Sequence, residues 1–329
     1  MANIQLSLAV GPYDQVRDLL DGTVAPGGID LVALRLTPEE IFYRFTRFRE
    51  WDVSEMSFGK YISMVSQGDD SLVAIPVFPS RVFRHSGIYV RAESGVTEAA
   101  QLAGKRIGLP EWAQTAAVYM RGLIAHEYGV DLASIAWKQA GVNDPGRVEK
   151  VKLALPPGFR LDVVADKSLS QMLLSGELDA AMSARPPAPF TAGDARVRRL
   201  FPDYRPLEQA YWKKTGIFPI MHVIVLRREV YAKQRWIAMN LMKAFELAKN
   251  RSVARALDIT ASHYPVPWVP DYAAFSRERF GDDIWPYGIE ANRATLEAFA
   301  QYAHEQGVSH RKVALEELFV PEVQSRFKV

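Results

Sequence analysis

Short apolar runs alternate with amphipathic segments from the N-terminus onward, the order expected of an α/β chain in which brief strands are followed by helices. Residues 4–10 predict a strand, 13–20 a helix with Tyr13, Val16, Leu19 and Leu20 on one face, and 29–36 a second strand. Asp21-Gly22 and Pro26-Gly27-Gly28 mark the turns between them. A helix then opens at Thr37-Pro38-Glu39-Glu40, with a threonine N-cap, proline at the first helical position and Glu40 completing a capping box. Residues 51–56 predict a strand leading into a helix over 57–67, followed by strands at 72–78 and 88–91.

After Glu93-Ser94-Gly95 the pattern restarts with strands at 106–109, 135–138, 161–164 and 179–183 and helices over 114–128 and 168–174. A strongly apolar extended stretch covers 216–226, and helices are expected at 229–257, 272–280, 290–306 and 312–319. No repeat or low-complexity linker is present. Crossings near Ile88 and Pro219 divide the chain into a discontinuous first lobe, 1–89 with 221–329, and a second lobe, 90–220. Two α/β lobes joined in this way describe a periplasmic-binding-protein-like fold with a ligand cleft between the lobes. No G-x-G-x-x-G follows the first strand and no P-loop occurs, which argues against a nucleotide cofactor.

Composition narrows the partners. Forty basic and 38 acidic side chains among 329 residues leave a formal charge of +2, too balanced for a nucleic-acid-binding face. No apolar run approaches the ~20 residues of a membrane span. The N-terminal sequence lacks a basic n-region and meets Gly11-Pro12 early, so a cytoplasmic location is expected. A homo-oligomer is compatible with the sequence. There is no cysteine, which removes thiolate nucleophiles, disulfides and Cys-type metal sites. The histidines form no H-E-x-x-H, and Asp69-Asp70 and Asp282-Asp283 lack calcium-loop spacing, so no metal is expected. No G-x-S-x-G elbow is present either.

The candidate chemistry lies at strand ends, where α/β folds bind ligands. Pro79-Ser80-Arg81-Val82-Phe83-Arg84-His85-Ser86 follows a buried strand and gathers two arginines, a histidine and two hydroxyls. Arg81 and Arg84 suit bidentate recognition of a carboxylate. His222 stands alone in an apolar strand, read either as a core histidine bonded to backbone or as a tunable proton donor. Asp52-Val53-Ser54-Glu55-Met56-Ser57 ends another strand. There Ser57 is a helix cap or a ligand contact, and Glu55 a surface charge by default or a catalytic acid. Thr115 marks a helix N-terminus that attracts anions, and Arg185 in Ser183-Ala184-Arg185-Pro186-Pro187 is a further cleft residue.

Gly11-Pro12-Tyr13-Asp14, Asp52-Val53-Ser54-Glu55, Phe78-Pro79-Ser80-Arg81-Val82-Phe83-Arg84-His85-Ser86, Gly104-Lys105-Arg106-Ile107-Gly108, Gly176-Glu177-Leu178-Asp179-Ala180 and 215–222 together resemble the 4,5-dihydroxyphthalate decarboxylase family. The similarity covers residues 6 to about 268, and the Phe-Pro-Ser-Arg-x-Phe-Arg-His-Ser and Phe-Pro-Ile-Met-His elements are its specific part. The resemblance implies a type 2 periplasmic-binding fold turned to catalysis on a small aromatic dicarboxylate. It implies loss of one carboxylate as CO2 to give protocatechuate, without an organic cofactor. On that reading His222 or His85 is the general acid, and Glu55 is a further catalytic group. Arg81, Arg84, Arg185, Ser80, Ser57, Thr115 and Tyr13 contact the substrate. A transport receptor for an aromatic carboxylate would use the same cleft. A sacrificial pyrimidine synthase of thiamine biosynthesis shares the fold but relies on cysteines, which this chain lacks.

Overall fold

The computed structural model describes residues 2–324; Met1 and residues 325–329, which the expected first lobe takes in, lie outside the described residues. The strands are β1 (Ile4–Val10), β2 (Ile29–Arg35), β3 (Val53–Ser57), β4 (Leu72–Ile75), β5 (Ile88–Arg91), β6 (Arg106–Leu109), β7 (Ala136–Gln139), β8 (Arg160–Val163), β9 (Ala180–Met182), β10 (Val197–Arg199) and β11 (His222–Arg227). They form two mixed sheets, ordered β2-β1-β3-β11-β4 and β10-β5-β9-β6-β7-β8. This is a two-lobed α/β fold. The first sheet is completed by β11, which returns antiparallel between β3 and β4. The 89/90 boundary expected from the sequence falls inside β5, a strand of the second sheet.

Each sheet has a switch point that opens a crevice at its strand ends. In the first sheet β1 lies between β2 and β3, so the chain after β1 passes beside the end of β3. In the second, β6 lies between β7 and β9. The helices Phe58–Ser66, Thr115–Tyr128 and Arg293–Glu305 pack on one another between the sheets, and one continuous apolar core runs through all of them. Its centre includes Phe58 stacked on Phe299 at 4.7 Å and Tyr119 against the same ring at 4.8 Å.

Several local expectations are revised. The stretch 216–226 is strand only from His222, because Ile220 forms an isolated bridge to Arg81 and its N–H donates to the Tyr119 hydroxyl. The helix expected over 229–257 is two, Arg228–Lys233 and Trp236–Leu257, broken at Gln234. The last expected helix shrinks to Leu315–Leu318. Thr37 occupies the N-cap position before Pro38–Phe48, but its hydroxyl makes no capping bond. The strand β10 and the helix Tyr204–Thr215 lie in a charged segment for which no element is expected above, although Tyr204, Leu207 and Tyr211 recur at helical spacing before Gly216.

A close approach between the two lobes is made at Gly59, where a Cβ would stand 2.6 Å from the Ala113 carbonyl oxygen. Gly59→Ala therefore forces the helix starts apart. Overpacking of this kind costs about 1–3 kcal/mol, and thermal unfolding of the variant is expected several degrees below that of the parent. An unchanged midpoint would show that the two lobes do not share this contact.

Candidate active site

The register of β11 on β3 builds the core of the site. His222 lies opposite Ser57 and Ile224 opposite Glu55, so Glu55 and His222 are diagonal neighbours on one face of the sheet. Side chains as long as these reach across that diagonal. The His222 Nδ1 and Glu55 Oε1 are 2.5 Å apart. Because β1 ends beside β3, the chain after it adds two more donors: the Gly11 N–H to Glu55 Oε2 at 2.8 Å, and the Tyr13 hydroxyl to Oε1 at 2.8 Å. Glu55 is 0% exposed. A carboxylate accepting from three groups is satisfied without water. The surface-charge reading of Glu55 is thus replaced by a buried acceptor, stabilised by donors that lie far from it in sequence.

Burial and then the Glu55 carboxylate push the Tyr13 phenol far above its ordinary value, so it stays protonated and donates. With Nδ1 turned to Glu55, Nε2 is the nitrogen of His222 left for chemistry, and the His222 side chain is 18% exposed. The Phe42 ring meets the imidazole edge-on at 4.8 Å. The Ser80 carbonyl accepts from the Met221 and His222 N–H groups, and the Ser80 hydroxyl faces Tyr13. Ser80, Tyr13, Glu55 and His222 thus form one cluster.

Ser57 starts the helix Phe58–Ser66, but its hydroxyl pairs with that of Thr115 at 2.9 Å instead of capping. Thr115 is the first helical residue, behind Gln114 as N-cap, and its oxygen also accepts the Gly59 N–H at 3.0 Å. Ser57 and Thr115 therefore tie the two lobes together directly beside His222.

The arginines separate. Arg81 is buried, lies between the Phe78 and Phe218 rings at 5.5 and 5.1 Å, and donates to the Pro286 carbonyl and to Asn292 Oδ1. Burial lowers its pKa to about 10. It braces the strand end. Arg84 donates through Nε to Met221 Sδ at 3.2 Å and is likewise lowered to about 10 by burial. Arg185 is exposed and pairs with Glu39 at 2.7 Å. His85 is buried against Phe201 and Tyr211, 3.8 Å from Glu208, and shares none of these partners with His222.

No family model matches this chain. It is 38% identical over 330 residues to a 4,5-dihydroxyphthalate decarboxylase of Comamonas testosteroni, covering 100% of both chains. The chain belongs to the 4,5-dihydroxyphthalate decarboxylase family. A Pseudomonas putida protein of the same name is 40% identical over 204 residues, 62% of this chain and 79% of that one. Among solved structures, the periplasmic aliphatic sulphonate binding protein SsuA of Escherichia coli superposes with a TM-score of 0.53 over 98% of this chain and 99% of its own, at 13% identity. That similarity concerns the fold alone.

In this family member, a second layer of charge around the cleft was not visible from sequence. Lys60, in the first turn after Ser57, is 2.6 Å from the buried Glu111 carboxylate, which Arg147 and Lys150 also approach at 2.6 and 3.6 Å. Burial works to raise the Glu111 carboxyl, but the three cations outweigh it and hold it below its ordinary value. The pair crosses from the first lobe to the second. Among the described residues, no group of three or more His, Asp or Glu side chains is placed to hold a metal. No helix there is long and apolar enough to cross a membrane.

His85 and Glu208 form a pair of opposite sense. Burial lowers His85 to about 4 and raises Glu208 to about 7. His85 stays unprotonated in the fold where the unfolded chain binds a proton, so its contribution is lost as pH falls from about 6.5 towards 4. Glu208 holds its proton longer when folded, so its contribution is lost as pH rises from about 4.5 through 7. Glu208→Gln removes the second effect only. Its melting temperature relative to the parent is expected to climb between pH 5 and pH 8; a constant difference over that range would refute the assignment.

Proposed function

We propose that this protein decarboxylates 4,5-dihydroxyphthalate to protocatechuate and CO2, with His222 as the acid that protonates the ring. The carrying observation is the His222–Glu55 pair, anchored by Gly11 and Tyr13 at the switch point of the first sheet, in a chain of this family. Arg84 and Arg185 supply guanidinium groups for the retained carboxylate, while Arg81 serves the frame. Ser57, Ser80 and Thr115 line the cleft with hydroxyls. The lobe division is proposed as the sequence suggests, except that β5 belongs whole to the second lobe, and the cleft residues come from both.

The chemistry follows from this arrangement. Imidazolium Nε2–H gives its proton to the ring carbon that carries the departing carboxylate, and the hydroxyl para to that carbon spreads the positive charge. The bond to the carboxylate then breaks, its electron pair restores the aromatic ring, and CO2 leaves. One proton has replaced one CO2, and the dianion has become a monoanion. His222 is left as neutral imidazole with its remaining proton on Nδ1, held by Glu55, and recovers the Nε2 proton from solvent. Glu55 fixes ring orientation and tautomer, as the carboxylate of a hydrolytic triad does. His85, buried and lowered to about 4, is unprotonated at neutral pH and is poorly suited to the acid role.

Purified protein mixed with 4,5-dihydroxyphthalate is expected to release CO2 and protocatechuate over many turnovers. His222→Gln should lower kcat by about 10²-fold or more. Stoichiometric binding without product would favour a solute-binding role, and unchanged turnover in the variant would remove His222 from the chemistry.

A further inference from the structure

Arg185, one of the guanidinium groups assigned to the substrate, is held by an exposed carboxylate, Glu39. Glu39 lies in the first turn of the helix Pro38–Phe48, and Arg185 on the loop after β9, so the pair joins the first lobe to the second. Phe42, which touches the His222 imidazole, stands three residues after Glu39 and shares its helix face. Glu39 is also near enough to add to the electrostatic rise of Tyr13. Its neighbour Glu40 is held by Arg44 at 2.8 Å, which leaves Glu39 as the carboxylate of this turn that faces the cleft. Arg185 is 71% and Glu39 48% exposed. Exposed pairs of this kind are weakly held and exchange readily.

Resting on the decarboxylase reading, we propose that Glu39 is an internal competitor for Arg185: it occupies the guanidinium in the empty cleft, and the substrate carboxylate displaces it. A planar guanidinium accepts a carboxylate from either source in the same bidentate manner. The incoming substrate carries two carboxylates and outcompetes one side chain. The product keeps the carboxylate that Arg185 holds, so Glu39 competes with substrate and product alike and favours release of either.

The test uses phthalate, a dianion without the ring hydroxyls that promote decarboxylation, titrated into the full-length protein by calorimetry. Arg185→Gln is expected to weaken phthalate binding about tenfold, as loss of a charge-assisted contact does. Glu39→Gln is expected to tighten it about two- to fivefold, and to make protocatechuate a stronger product inhibitor. The double variant should match Arg185→Gln, because the competitor has no rival cation left to block. Opposite signs for the two single variants distinguish competition from a merely structural bridge, which would weaken binding in both. Phthalate binding that is unchanged or weaker in Glu39→Gln overturns the proposal. Phthalate binding with no turnover of 4,5-dihydroxyphthalate would overturn the decarboxylase reading instead, with the gate still decided by the signs of these titrations.

Discussion

The arrangement of the site depends on one buried carboxylate. Glu55 sits in the middle strand of the first sheet with no access to water, and so must be satisfied by protein donors. They come from three places: the backbone of Gly11, the phenol of Tyr13 and the imidazole of His222. Each donor is fixed by a different feature of the fold. The end of β1 delivers Gly11 and Tyr13, and the antiparallel return of β11 delivers His222. A slip of one residue in the β11 register would turn the imidazole to the opposite face and leave the carboxylate short of a donor.

A binding-protein fold normally separates its lobes by a cleft that opens and shuts. Here the lobes share a continuous core through three helices, a hydroxyl pair between Ser57 and Thr115, and the buried Lys60–Glu111 ion pair. Removing one partner of such a buried pair leaves an uncompensated charge, a far larger penalty than losing an exposed pair. The strong links lie deep, beside the helix starts, and the weak Arg185–Glu39 link lies at the mouth.

Most of the order of strands and helices was legible in the sequence because the strands are short, nearly all-apolar runs such as Leu72–Ile75. The segment containing β10 and the helix Tyr204–Thr215 was less so: β10 is three residues long with two arginines, and the helical spacing of Tyr204, Leu207 and Tyr211 is set among charges. At the site, His222 stood out as a polar residue in an apolar strand. The state of Glu55 could not be read locally, because its partners at 11, 13 and 222 meet only through sheet pairing. Arg81 shows the reverse case. An arginine in a strand-end loop reads as a ligand contact, whereas here two aromatic faces, a backbone carbonyl and Asn292 already occupy it. Glu39 gave no sign beyond that of a first-turn helix carboxylate.

The central claim is that Glu55 dictates which nitrogen of His222 keeps its proton. Nitrogen-15 NMR of histidine-labelled protein, with His222 assigned by its absence in His222→Gln, measures this directly. For the neutral imidazole, the account predicts the tautomer protonated at Nδ1, with a strongly deshielded proton that disappears in Glu55→Gln. A neutral His222 protonated at Nε2 instead would contradict it, because that tautomer needs no carboxylate at Nδ1.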